Sequence, residues 1–191
     1  MTVLIFRRLL IFFTISISPI DMYSQRIKEP VPESTNRVIL NRNDTVYSFY
    51  TYKVDLKKMV LNAELFYCWY DKGLINQTQG AYSGRVLNGS YKVFYPNKNL
   101  KELGHFNNGL RNGKWTYWQA DGIKKREEVW RKGLLDGQVV LYNEKGGVSK
   151  VEFYNNGRPS YPRLIYTSDN KVIKTYKKKG TIVSDTTSLS F

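Results

Sequence analysis

The stretch that decides the fold runs from Gly113 to Gly137. It begins with the aromatic-rich run Gly113-Lys114-Trp115-Thr116-Tyr117-Trp118 and continues through Asp121-Gly122 to Lys125-Arg126-Glu127-Glu128-Val129-Trp130. The return segment is Lys132-Gly133-Leu134-Leu135-Asp136-Gly137. Two short runs rich in aromatic and β-branched residues, separated by Asp-Gly, read as a β-hairpin. Asn-Gly and Asp-Gly pairs supply the positive φ that a tight hairpin turn requires.

The same unit recurs. Shifting the chain by 24 residues superimposes Gly89, Gly113 and Gly137, and also Gly109, Gly133 and Gly157. Aromatic columns keep step: Tyr70, Phe94, Trp118 and Tyr142 form one, and Tyr82, Phe106, Trp130 and Tyr154 another. Tyr67, Tyr91, Trp115 and Val139 make a third. Asn88, Asn112 and Asp136 stand before one glycine column, so the junctions Asn108-Gly109-Leu110-Arg111-Asn112-Gly113 and Lys132–Gly137 are expected to be turns that lead to the next unit. The first unit starts near Leu61 and is degenerate, with Leu65 and Arg85 in the glycine columns. A fifth, shorter unit runs from Tyr161 to Gly180 with its spacing slipped by one to two residues.

The pattern Gly-x-Trp-x-x-Trp, Asp-Gly, then Val-Trp-x-x-Gly-x-x-Asp-Gly resembles the MORN-repeat family, and within it the bacterial variant labelled as YwqK-like antitoxins. The resemblance covers residues 61–157 well and extends weakly to 180. It implies an all-β fold: an elongated single antiparallel sheet of about 4–5 tandem hairpins. It also implies protein binding, membrane-associated scaffolding, anionic lipid binding in some members, and an antitoxin or immunity-type role by label. Physics favours the same shape. One hairpin is too small to stand alone, and each added unit lengthens a sheet by roughly 9–10 Å while burying ring against ring.

Arg7-Arg8, the apolar run Leu9–Ile17 and the small residue Ser24 read as a signal peptide over residues 1–24. The apolar run falls short of the ~20 residues that span a bilayer, and the alternative is an uncleaved membrane anchor. The expected address is secreted, periplasmic or envelope-associated. Pro30 and Pro32 mark a linker over 25–36, and Arg37–Leu40 and Thr45–Tyr52 read as two strands covering the sheet's N-terminal edge. Residues 25–60 therefore form a linker and cap, 61–180 the repeat domain and 181–191 a C-terminal tail.

Composition is globular, with 24% charged and 41% hydrophobic residues. The net charge of +14 suits an anionic partner surface. Cys68 is the only cysteine, which excludes an internal disulfide, and His105 is the only histidine. Both read as strand residues. No catalytic, cofactor or metal residues are assigned, since Cys/His zinc sets fail by count and no phosphate-binding Gly-Lys-Ser/Thr loop is present. Glu127 and Glu128, adjacent in a strand, point to opposite faces and read as a solvated pair.

The leading expectation is a non-catalytic interaction module that binds a protein or envelope component. Tyr and Trp dominate binding hot spots, so the candidate contacts are Tyr91, Phe106, Trp115, Tyr117, Trp130 and Tyr154. The second is peripheral binding of anionic lipid or glycan through Lys124, Lys125, Arg126, Lys174, Lys177, Lys178 and Lys179. Nucleic acid is disfavoured by the exported address.

Overall fold

The computed structural model describes residues 35–52, 59–169 and 171–188. The expected leader, most of the linker and residues 53–58 of the cap lie outside them. The strands are β1 Thr35–Arg42, β2 Thr45–Tyr52, β3 Phe66–Asp71, β4 Leu74–Gln79, β5 Arg85–Phe94, β6 Leu100–Asn107, β7 Leu110–Trp118, β8 Lys124–Arg131, β9 Leu134–Tyr142, β10 Val148–Asn155, β11 Arg158–Tyr166, β12 Lys171–Lys178 and β13 Thr181–Ser188. They form one open antiparallel sheet of 13 strands in the order β1-β2-β5-β6-β7-β8-β9-β10-β11-β12-β13, with β3 and β4 attached off this path. The tandem-hairpin architecture is therefore the one the spacing implies.

Each of the two glycine columns has its own structural job. Gly109, Gly133 and Gly157 close two-residue turns with Asn108, Lys132 and Asn156, all at positive φ. The other column does not turn the chain. Strand registers shift between Phe49 and Thr51, Leu103 and His105, Glu128 and Trp130, and Val151 and Phe153. The extra residues opposite these shifts hold Gly89, Gly113, Gly137 and, in the last unit, Tyr161. These are β-bulges, which bend a strand and increase its twist. The expected return turns thus shorten to two residues, and the second glycine marks a bend inside the next strand.

Turn and bulge are stapled together across units. Gly109, Gly133 and Gly157 donate their N–H groups to the carbonyls of Leu87, Arg111 and Leu135 at 2.8, 2.9 and 2.8 Å. The Oδ1 atoms of Asn88, Asn112 and Asp136 accept from the N–H groups of Asn108, Lys132 and Asn156 at 3.1, 3.4 and 3.3 Å. At the opposite sheet margin Tyr95 Oη donates to the Trp118 carbonyl at 2.9 Å. There Asn97 and Asn99 both donate to Ala120 O at 2.8 Å.

The first repeat departs from the expected line. Its hairpin, β3–β4, joins β5 only through Trp69↔Val86 and Tyr70↔Arg85, while β2 pairs with the rest of β5. Two local causes are visible. Leu65 occupies the bulge-glycine column ahead of β3, and the connection Gly80-Ala81-Tyr82-Ser83-Gly84 replaces a tight turn. A Cβ on Gly84 would lie 2.7 Å from the Tyr70 carbonyl oxygen, so this crossing needs a bare backbone. The β1–β2 hairpin takes the in-line place, and its junction with β5 carries the same bulge as the later junctions. It thereby covers one edge of the repeat array, as expected of the N-terminal strands.

The displaced hairpin packs against the core. Phe49, Cys68, Leu87, Tyr91, Val93, Phe106 and Trp115 form one buried cluster, with Tyr70 and Ile75 of the hairpin packed on it. Tyr91, Phe106 and Trp115 meet pairwise at ring separations of 5.3, 5.0 and 5.6 Å. Burial pushes the Cys68 thiol up to about 11, which keeps it protonated and unreactive at neutral pH. The far end also differs from expectation: Thr181–Ser188, read as tail, pair along their whole length with β12.

Gly104 of β6 stands where β8 and β10 have Glu128 and Glu152. A Cβ there would meet the Trp115 ring at 2.2 Å, so the indole is seated over bare backbone. Gly104→Ala is expected to lower unfolding free energy by about 1–3 kcal/mol through overpacking, measured by urea denaturation.

Candidate functional site: an aromatic and charged cluster on the sheet face

Register places Trp115 opposite Glu128 and Tyr117 opposite Arg126, so these four share one face. β3–β4 covers that face near β5–β7. From β8 onward the cover ends, and of the later strands only Glu128, Val139 and Val151 have side chains in the buried class. The boundary carries a dense polar network.

Glu128 is at its centre and is 2% exposed. Its Oε2 accepts from Tyr117 Oη at 2.9 Å and Trp130 Nε1 at 2.8 Å, and lies 3.8 Å from Arg111 Nη1. Its Oε1 pairs with Arg126. Arg111 Nη1 donates to Tyr117 Oη at 2.7 Å, and Nη2 lies 3.6 Å from Glu102. The Arg111 guanidinium also sits 4.4 Å from the Trp115 ring and 5.3 Å from the Trp130 ring. A planar cation between two indoles gains from both ring faces. Burial pushes the Glu102 carboxyl above its usual range, opposed by Arg111 and reinforced by Glu128. Two arginines balance two glutamates, so the cluster is close to neutral, and within it Trp115 Nε1 and Arg126 Nε are buried without a hydrogen-bond partner.

Beside Trp130 a groove of about 750 Å³ is lined by Val129, Arg131 and Phe153 as well as Trp130, Tyr154 and Tyr161, among others, so that both alternating sets of β8 and β10 contribute to it. Trp130 and Tyr154 are half-buried there. The opposite face has a separate charge cluster. Glu127 accepts from Lys114 and Lys124 at 2.9 Å each and from Tyr142 Oη at 2.8 Å. Desolvation raises the Glu127 carboxyl, but the hydrogen bonds from Lys124, Lys114 and Tyr142 outweigh it and hold it down to about 2.

The structure redistributes the residues singled out from sequence. Tyr91, Phe106 and Trp115 are 8%, 3% and 0% exposed; they are core, with no surface left for a partner. The periodicity that marked them is the periodicity of packing. Tyr117 and Trp130 belong to the network, and Tyr154 to the groove. Lys124 and Arg126 are engaged by carboxylates, whereas Lys125, Lys174, Lys177, Lys178 and Lys179 are exposed. Glu127 and Glu128 do point to opposite faces, but Glu128 is buried rather than solvated. Glu102 and Arg111 were not singled out from sequence, and Glu128 was singled out only as a solvated residue. The available signal was their place opposite the aromatic columns. His105 is an exposed strand residue, and no group of three or more metal-ligating side chains occurs among the described residues.

No family model matches this chain, and no curated protein matches it.

A carboxyl whose folded pKa is depressed contributes stability above its unfolded value and loses it as pH falls through the folded one. For Glu127 that window runs from 4.5 down to about 2. Glu127→Gln is expected to flatten the stability profile across this window, read by denaturant melts at stepped pH. Glu128→Ala strands Arg111, Arg126 and two ring donors, and is expected to cost about 3–5 kcal/mol of unfolding free energy in the same assay.

Proposed function

We propose that this chain is an exported, non-catalytic interaction module of the MORN-like type, which presents the uncovered part of one sheet face to a protein or envelope component. The observation that carries the reading is where the cover stops. Trp130 and Tyr154 continue the aromatic column of buried Phe106, yet they flank an open groove. Half-exposed Trp and Tyr side chains held by a rigid sheet are the ingredients of binding hot spots. A role without catalysis accords with a cluster whose two arginines and two glutamates balance in charge. The basic pair and apolar run at the chain's start support export.

Affinity capture from envelope extract, followed by mass spectrometry, tests the reading. The double variant Trp130→Ala/Tyr154→Ala is expected to keep its fold and lose partner capture by at least about tenfold, which is roughly 1.4 kcal/mol. Trp115→Ala is expected instead to lose about 3–5 kcal/mol of stability. Full capture by the folded double variant refutes the assignment of the groove.

A further inference from the structure

The far margin of the sheet has a second surface, distinct from the groove. β13 pairs with β12 in unbroken register from Lys171↔Ser188 to Lys178↔Thr181. Among the described residues no strand lies on its other side. Nearly every β13 residue is exposed, Ile182 at 58%. An open edge presents alternating N–H and C=O groups that template another strand. Proteins blunt such edges with charged side chains, Pro or a bulge; Thr181-Ile182-Val183-Ser184-Asp185-Thr186-Thr187-Ser188 has no Pro, no bulge and one charge, Asp185. The edge is regular, carries the single charge of Asp185, and is long enough to accept a partner strand.

Charge selects the partner. Lys174, Lys177, Lys178 and Lys179 are exposed beside this edge. The neighbouring carboxylates are already engaged, Asp185 by Tyr176 Oη at 2.7 Å and Asp169 by Lys171 at 2.6 Å. Two cations share one ring, with Arg163 Cζ and Lys177 Nζ each 5.6 Å from the Tyr161 centroid, and Arg163 Nε is buried without a hydrogen-bond partner. A second copy of this chain would bring an equally basic margin and no charge complementarity to this edge. An acidic strand gains both main-chain pairing and charge complementarity.

We propose that the outer edge of β13 binds an acidic, extended peptide segment of a partner by strand addition, with Lys177, Lys178 and Lys179 selecting its charge. This deepens the interaction-module reading and rests on it, but it uses a different surface from the groove.

The probe is a fluorescein-labelled eight-residue peptide of alternating Glu and Val, titrated into the full chain by fluorescence anisotropy. Saturable binding is expected, with at least tenfold loss when Glu is replaced by Lys in the peptide. The same loss is expected in the Lys177→Glu/Lys178→Glu/Lys179→Glu variant. N-methylation of one alternate set of peptide amides should abolish binding, and methylation of the other set should leave it. Equal binding of both methylated peptides would reduce the effect to charge alone and overturn the proposal. Self-association of the chain that the peptide does not displace would assign the edge to a second copy, with the same consequence. Trp130→Ala/Tyr154→Ala should bind the peptide normally, so a failed edge and a failed groove give different results.

Discussion

The structure depends on one repeated hydrogen-bond staple. Each tight turn gives its two N–H groups to the unit before it, one to a backbone carbonyl and one to an Asn or Asp side chain beside the bulge. A hairpin by itself is marginal in water. Here the turn that ends one unit is held by the bend that begins the preceding strand pair, so neighbouring hairpins are coupled. The unit length follows: two strands, a two-residue turn and a longer turn must bring each new turn alongside the previous bulge. Asn88, Asn112 and Asp136 recur because a short side chain with an acceptor oxygen is what the next turn needs.

Along the sheet the same columns change their physical role. In the column of Tyr91, Trp115, Val139 and Arg163, large rings give way to an aliphatic residue and then to a cation. In the facing column Gly104 gives way to Glu128 and Glu152. Where Gly104 leaves space, an indole fills it; where Glu128 stands, Arg111 and Arg126 balance it and Tyr117 donates to it, and Glu152 pairs with Lys150. The β3–β4 hairpin lies over the aromatic end, and the half-exposed rings lie beyond it. The position of that hairpin therefore decides which aromatics are core and which are surface.

Much of the architecture was legible from spacing. Strand existence and the in-line order of the hairpins from β5 onward follow from paired glycine columns and alternating residues; the place of the first hairpin does not. The site was less legible. Trp115 and Trp130 sit in equally regular columns, and nothing local separates the one with no exposed surface from the half-exposed one. Glu128 beside Glu127 looks like an ordinary wet pair until its register against Tyr117 and Trp130 is known.

By itself the sequence determined a ladder of hairpins, because positive-φ turn pairs and ring-rich runs are local demands that each unit makes on its own backbone. Tertiary structure decided what locality cannot encode. The missing bulge glycine and the looser connection after β4 send the first repeat onto the sheet face, and β2 fills the vacated line. That exchange covers Trp115 and leaves Trp130 half-exposed, since burial is set by which distant segment comes to lie on a residue.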